Sequence, residues 1–241
     1  RAEIAAPQRR RARGGGGRGG GGARGRPSSW SAAVDQLCFE EAQRRLIILS
    51  AGNVAGDLIP ADHLTRNDLE PVDDPGQAWN ALTVGAFTEK VNIIDPAFVG
   101  YSPIASAGEL SPRSRTSVTW DRQWPVKPDV VFEGGNLAHD GALPGEPIDD
   151  LQILTTYFRP ESRHYATIGD TSAATAAVAG MAGAILADRP NLWPETVRAL
   201  IVHSAEWTPP MRAQIDACHG AKTQIQSLVR RYGFGAPDLG R

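Results

Sequence analysis

The stretch that most restricts this chain runs from Ser172 to Ala187, where ten of sixteen residues are Ala or Gly. Within it Val178, Met181, Ile185 and Leu186 fall at offsets of 0, 3, 7 and 8, the period of a helix face. A helix that is small and apolar on every side has no polar face to turn to water. The sequence therefore predicts a packed interior position, with Ala and Gly letting neighbouring backbones approach closely. The start of such a helix carries unpaired N–H groups and partial positive charge. Ser172 stands there, either as an N-cap or as a nucleophile whose developing negative charge finds donors waiting.

Short apolar runs elsewhere supply a sheet. Leu46-Ile47-Ile48-Leu49 does not alternate and reads as a strand buried on both faces. It ends at Ser50-Ala51-Gly52-Asn53, at the carboxyl edge where open α/β sheets place their sites. Residues 81–87, Asp129-Val130-Val131-Phe132 and Ile153-Leu154-Thr155-Thr156 read as further strands. Ser28 or Ser29 can cap a helix to about residue 44, with Cys38 in its apolar stripe. Pro194 opens another to about Ser204, and a third covers 225–230. The loop from Val54 to about Gly76 leaves His63 in solvent, and residues 92–126 are irregular. Strands alternating with helices in 241 residues predict one α/β domain.

Charge divides the chain. Residues 1–26 hold eight of the 25 basic residues and one of the 27 acidic ones, so the remainder carries a net charge of −9. That acidic body offers no polyanion-binding surface. Residues 9–26 contain two runs of four glycines and no large apolar side chain, which predicts that 1–26 form an Arg/Gly-rich low-complexity tail, disordered or artefactual, followed by the domain at 27–241. An Arg/Gly arm can contact nucleic acid through phosphates, but no aromatic residue is present in it to stack on bases. Cys38 and Cys218 form neither a disulfide framework nor a metal-ligand spacing, so they mark no metal site, and the lack of disulfide pairs favours a cytoplasmic protein; calcium binding stays open. Nothing approaches 18 consecutive apolar residues, so no membrane span is expected.

Thr171-Ser172-Ala173-Ala174-Thr175, followed by Val178-Ala179-Gly180, resembles the nucleophile segment of the subtilisin-like serine proteases, or subtilases. Leu49-Ser50-Ala51-Gly52-Asn53 resembles that family's oxyanion-hole segment. Ala81-Leu82-Thr83-Val84-Gly85-Ala86 and Lys127-Pro128-Asp129-Val130-Val131 resemble two further family strands, and Tyr232-Gly233-Phe234-Gly235 a late segment. The resemblance implies a three-layer subtilisin-like α/β fold with a mostly parallel sheet, its first strands missing. It makes Ser172 the nucleophile, Asn53 the side-chain oxyanion donor, and Ser50, Ala51 and Gly52 a segment that contacts a polypeptide substrate. It implies no cofactor.

The resemblance also shows what the chain lacks. The family's Asp-Thr/Ser-Gly and His-Gly-Thr/Ser motifs do not occur, and none of the five histidines matches. His139-Asp140 are adjacent and make a poor base–acid pair, and His164 is the histidine nearest Ser172 in sequence. The expectation is a serine endopeptidase by resemblance that is inactive as this isolated chain. The alternatives are a non-catalytic interaction or regulatory module of the same fold and an Arg/Gly nucleic-acid binder; an esterase would need a Gly-x-Ser-x-Gly elbow. Asp170 replaces the usual Gly before Thr-Ser, and its carboxylate either faces the oxyanion or points out of the loop. Ala176 replaces the usual Pro.

Overall fold

The computed structural model describes residues 2–4, 25–40, 44–55, 63–141 and 145–240. In chain order the elements are β1 (Ala2–Ile4), α1 (Ser29–Phe39), β2 (Leu46–Ser50), α2 (His63–Leu69) and β3 (Leu82–Thr88). Then come β4 (Ser102–Pro103), β5 (Glu109–Leu110), β6 (Val130–Glu133), β7 (Ala138–His139), β8 (Ile153–Thr156) and β9 (Tyr165–Ile168). Four helices close the chain: α3 (Asp170–Asp188), α4 (Pro194–His203), α5 (Pro209–Ala217) and α6 (Lys222–Tyr232).

The central sheet is parallel in the order β1-β2-β3-β6, and β5 runs antiparallel along the end of β3. Val84 sits opposite both Ser50 and Val130, so β3 is the middle of the sheet. The unalternating apolar runs follow from burial on both sides. Leu46 and Ile48 face one layer, with Leu82, Val84, Ala86 and Val130, and meet α3 and α4. Ile47 and Leu49 face the other, against Val34 and Cys38 of α1. Met211 of α5 and Leu228 and Tyr232 of α6 cover Phe87, Leu110 and Val131. Helix, sheet and helix give the three layers of an α/β fold. Burial pushes the Cys38 thiol above its ordinary range, which fits a packing side chain rather than a reactive one.

Helix α3 is less enclosed than its composition implies. Ala174, Val178, Ala179 and Ala182 pack on the sheet, but Ser172, Ala176, Ala177, Gly180, Gly183, Ala184 and Ala187 form an exposed stripe. An expected interior helix thus has one bare face, because the described residues place a sheet beneath it and no layer above. By length and mean hydropathy alone it would also pass for a membrane span; here its larger side chains are spent on the sheet.

Other differences lie between the elements. His63 is buried on α2 rather than solvated in a loop, because Leu64 packs into the Tyr232 cluster and Asn67 Nδ2 donates to Ser111 O at 2.8 Å. An ion pair from Arg231 to Asp68 fastens the same helix. Helix α1 stops at Phe39, short of the expected residue 44, and α5 and β9 were not legible in the sequence. The stretch assigned to a tail contributes β1, and Gly25 is buried against the ring of Trp120, so packing begins before Pro27. Most of the Arg/Gly stretch lies outside the described residues.

The late segment closes the sheet beyond β6. Phe234 N donates to Asp129 O and Val131 N to Gly235 O, at 2.8 and 2.9 Å. Gly233 takes a φ of +58°, and a side chain there would strike the carbonyl oxygens of Pro128 and Asp129. Below it Lys127 is fully buried; its Nζ donates to Asp129 Oδ2 at 2.7 Å and to Ala81 O at 2.9 Å. Burial lowers the Lys127 ammonium from its ordinary value, and the Asp129 carboxylate opposes that shift.

Candidate active site

The site lies at the carboxyl end of β2. Ala51 N continues the ladder by donating to Val84 O at 2.9 Å, and Ala51 O accepts from Asp73 N at 2.9 Å. Ala51 is fully buried with both backbone groups paired, so of the three expected substrate-contacting residues only Ser50 and Gly52 retain any exposure. Gly52 takes a φ of +91°, and a Cβ there would strike the Asp73 carboxylate. That left-handed turn delivers Asn53 toward the start of α3.

From the other side, β9 leads through Gly169 into α3. Asp170 N donates to Gly134 O at 2.7 Å, and Asp170 itself has a φ of +70°. Asp and Asn are the non-glycine residues that tolerate this region best. The turn places Thr171, fully buried, beside Asn53. Asn53 Oδ1 accepts from Thr171 N at 3.0 Å and from Thr171 Oγ1 at 2.8 Å. A backbone N–H can only donate, so these bonds fix which end of the amide is oxygen and leave Nδ2 as its donor. Ser172 follows directly, exposed on the first turn of α3, where backbone N–H groups have no intrahelical acceptor.

Two long-range groups complete the constellation. The Asp170 carboxylate accepts from Arg113 Nε at 2.7 Å and from a terminal guanidinium nitrogen at 3.2 Å. Of the two orientations open in sequence, the carboxylate therefore turns onto Arg113. Arg115 Nε donates to Asn53 O at 3.0 Å and pins the same loop from behind. A cleft of about 470 Å³ runs alongside, lined by Arg113, Gln152, Thr167, Ile168, Gly169 and Asp170. A cavity of about 480 Å³, lined by Arg45 and Leu46, lies instead at the amino end of β2.

No described histidine is hydrogen-bonded to Ser172. His164 is exposed at the far end of the β8–β9 hairpin, with its ring 6.5 Å from that of Tyr165. His139 Nδ1 accepts from Gly141 N at 3.1 Å. Among the described residues no His/Cys/Asp/Glu group is arranged to hold a metal ion. The sequence missed Arg113, which lies in the irregular stretch. An arginine among Ser and Pro has no local pattern to mark it.

At one carboxyl edge of the parallel sheet, the described residues of this three-layer α/β fold bring the Asn53 amide together with the start of the helix that carries Ser172. The subtilase family model matches residues 16–235, and the chain belongs to the subtilase family. An uncharacterized protein of Sinorhizobium fredii (strain NBRC 101917 / NGR234), y4bN, is 31% identical over 198 residues, covering 76% of this chain and 44% of its own length. Among solved structures, the prenylagaramide maturation protease PagA is 18% identical with a TM-score of 0.49, over 89% of this chain and 54% of that one. A lanthipeptide protease is 17% identical with a TM-score of 0.49, over 86% and 52%. The chain thus spans about half the length of the relatives it matches.

Proposed function

We propose that the chain supplies the nucleophile and oxyanion side of a subtilisin-like serine endopeptidase site acting on polypeptides. Ser172 Oγ attacks the scissile carbonyl carbon, its proton passes through a base to the amine that leaves as the C–N bond breaks, and water then hydrolyses the acyl-serine to the free acid and restores the hydroxyl. Asn53 Nδ2 and the Ser172 backbone N–H receive the negative charge that develops on the carbonyl oxygen. No cofactor enters this sequence of steps. The observation that supports the reading is the pair of hydrogen bonds from Thr171 to Asn53 Oδ1, which join the Asn53 loop to the residue before Ser172 and leave the amide nitrogen as the donor.

An unassisted serine hydroxyl is a weak nucleophile, and the family's Asp and His motifs are absent from these 241 residues. That absence favours a second reading, a non-catalytic module on the same fold. Chemical rescue separates the two. A fluorophosphonate should label the chain slowly, and added imidazole, a base in solution, should accelerate labelling at Ser172 as followed by intact mass. Asn53→Ala should remove most of that gain, roughly 10²–10³-fold being the cost of losing one oxyanion donor in such a site. Labelling that ignores imidazole, or is unchanged in Ser172→Ala, would favour the module.

A further inference from the structure

We propose that Arg113 and Asp170 are positioning residues: one guanidinium ties the turn that carries Ser172 to the loop that carries Asn53 and cancels a carboxylate two residues before the serine. The inference rests on the reading of Ser172 and Asn53 given above and adds what holds them in register.

Arg113 grips both loops at once. Its Nε and one terminal nitrogen take the Asp170 carboxylate, and its other terminal nitrogen donates to Val54 O at 2.7 Å. Its backbone oxygen also accepts from Val54 N at 2.9 Å. Val54 is the residue after Asn53, and Asp170 lies two before Ser172. A planar fork with fixed nitrogen positions sets the spacing between two carboxyl-edge loops more tightly than a lysine would. Both side chains are partly buried, at 25% and 34% exposure, so the pair is shielded from full solvent screening.

The second element is charge. The left-handed turn at Asp170 is one a glycine could make without adding a carboxylate. With Asp there, a negative group enters the turn that carries Ser172, and the opposing guanidinium neutralises it. Removing Arg113 alone should therefore do more harm than removing both.

The test uses the full chain and two readouts. The first is amide hydrogen exchange at Thr171, whose N–H is bonded to Asn53 Oδ1; strand amides of β2 and β3 report that the fold is intact. The second is the affinity of 4-fluorophenylboronic acid, followed by fluorine NMR. In that adduct Ser172 Oγ donates a lone pair to boron, a B–O bond forms, and the hydroxyl proton passes to solvent. Arg113→Met should speed Thr171 exchange and weaken the adduct at least about tenfold, the scale on which one nearby uncompensated charge acts. Arg113→Met/Asp170→Gly should recover most of the affinity without restoring Thr171 protection.

Unchanged Thr171 exchange in Arg113→Met overturns the proposal, whether or not boronate binds. If Arg113→Met loses its strand protection, Asp170→Gly breaks the pair from the other side, and the same exchange measurement decides. A double variant no better than Arg113→Met removes the charge half of the proposal. An adduct absent from the wild type, or identical in Ser172→Ala, is a failure of the endopeptidase reading. The positioning inference is then judged on exchange alone.

Discussion

Single residues at this site are chosen for what they leave free as much as for what they bind. Thr171 occupies the oxygen of Asn53 and so presents the nitrogen; a residue without a hydroxyl would leave that oxygen only the backbone donor. Tyr232 shows how burial of one group becomes a property of the whole chain. Its hydroxyl donates to Gln214 Oε1 at 3.1 Å, and burial pushes the phenol above its ordinary 10.0. Above that pH the unfolded chain loses the phenolic proton while the native chain keeps it, so stability falls as pH rises from 10.0 toward the raised native value. Tyr232→Phe should cost about 1 kcal/mol at neutral pH for the lost hydrogen bond. Urea melts from pH about 8 to about 11 should show the wild type's advantage shrinking at the alkaline end. A constant gap would mean the phenol titrates as it does in the unfolded chain.

At the scale of elements, α3 combines two demands. Its inner face needs small side chains to lie close to the sheet, and its outer stripe is bare among the described residues. Gly180 and Gly183 lie on that stripe, and a Cβ at either would meet nothing within 4 Å. Glycine within a helix costs roughly 0.5–1 kcal/mol relative to alanine. Gly180→Ala and Gly183→Ala should each raise the stability of this chain by about that amount in thermal or denaturant melts. A loss would show that the stripe is covered in solution. Helix α1 has the opposite design: Ser28 caps it through bonds to Trp30 N and Ser31 N and also donates to Asp74, fastening a surface helix to the loop before β3.

For the molecule as a whole, the central strands β2 and β3 are buried, but large apolar rings outside the sheet are not. Trp30, Phe39, Trp193 and Phe234 are all more than half exposed, and Phe39 and Phe234 border the cavity at the amino end of β2. Apolar surface of this kind promotes association. Prediction: the full chain binds an apolar dye under native conditions and scatters more light as concentration rises. A monodisperse chain that does not bind the dye would show that these rings are covered. Much of the architecture was legible beforehand, since β2, β3, β6, β8, α3 and α4 fall within two residues of their sequence readings. Elements fixed by long-range contacts were not. Helix α2 depends on Arg231 and Ser111, both far along the chain, and nothing near His63 signals its burial.

The sequence by itself determined the α/β class, the two-faced strands and the two loops at issue, because periodicity and turn chemistry are local. It also named Ser172 and Asn53 from motifs that read the same before folding. Only the tertiary structure decided that Thr171 turns the amide, that Arg113 reaches Asp170 and Val54 together, and that α3 keeps one face open. Each of those depends on groups distant in sequence meeting in space, and no local pattern encodes such a meeting.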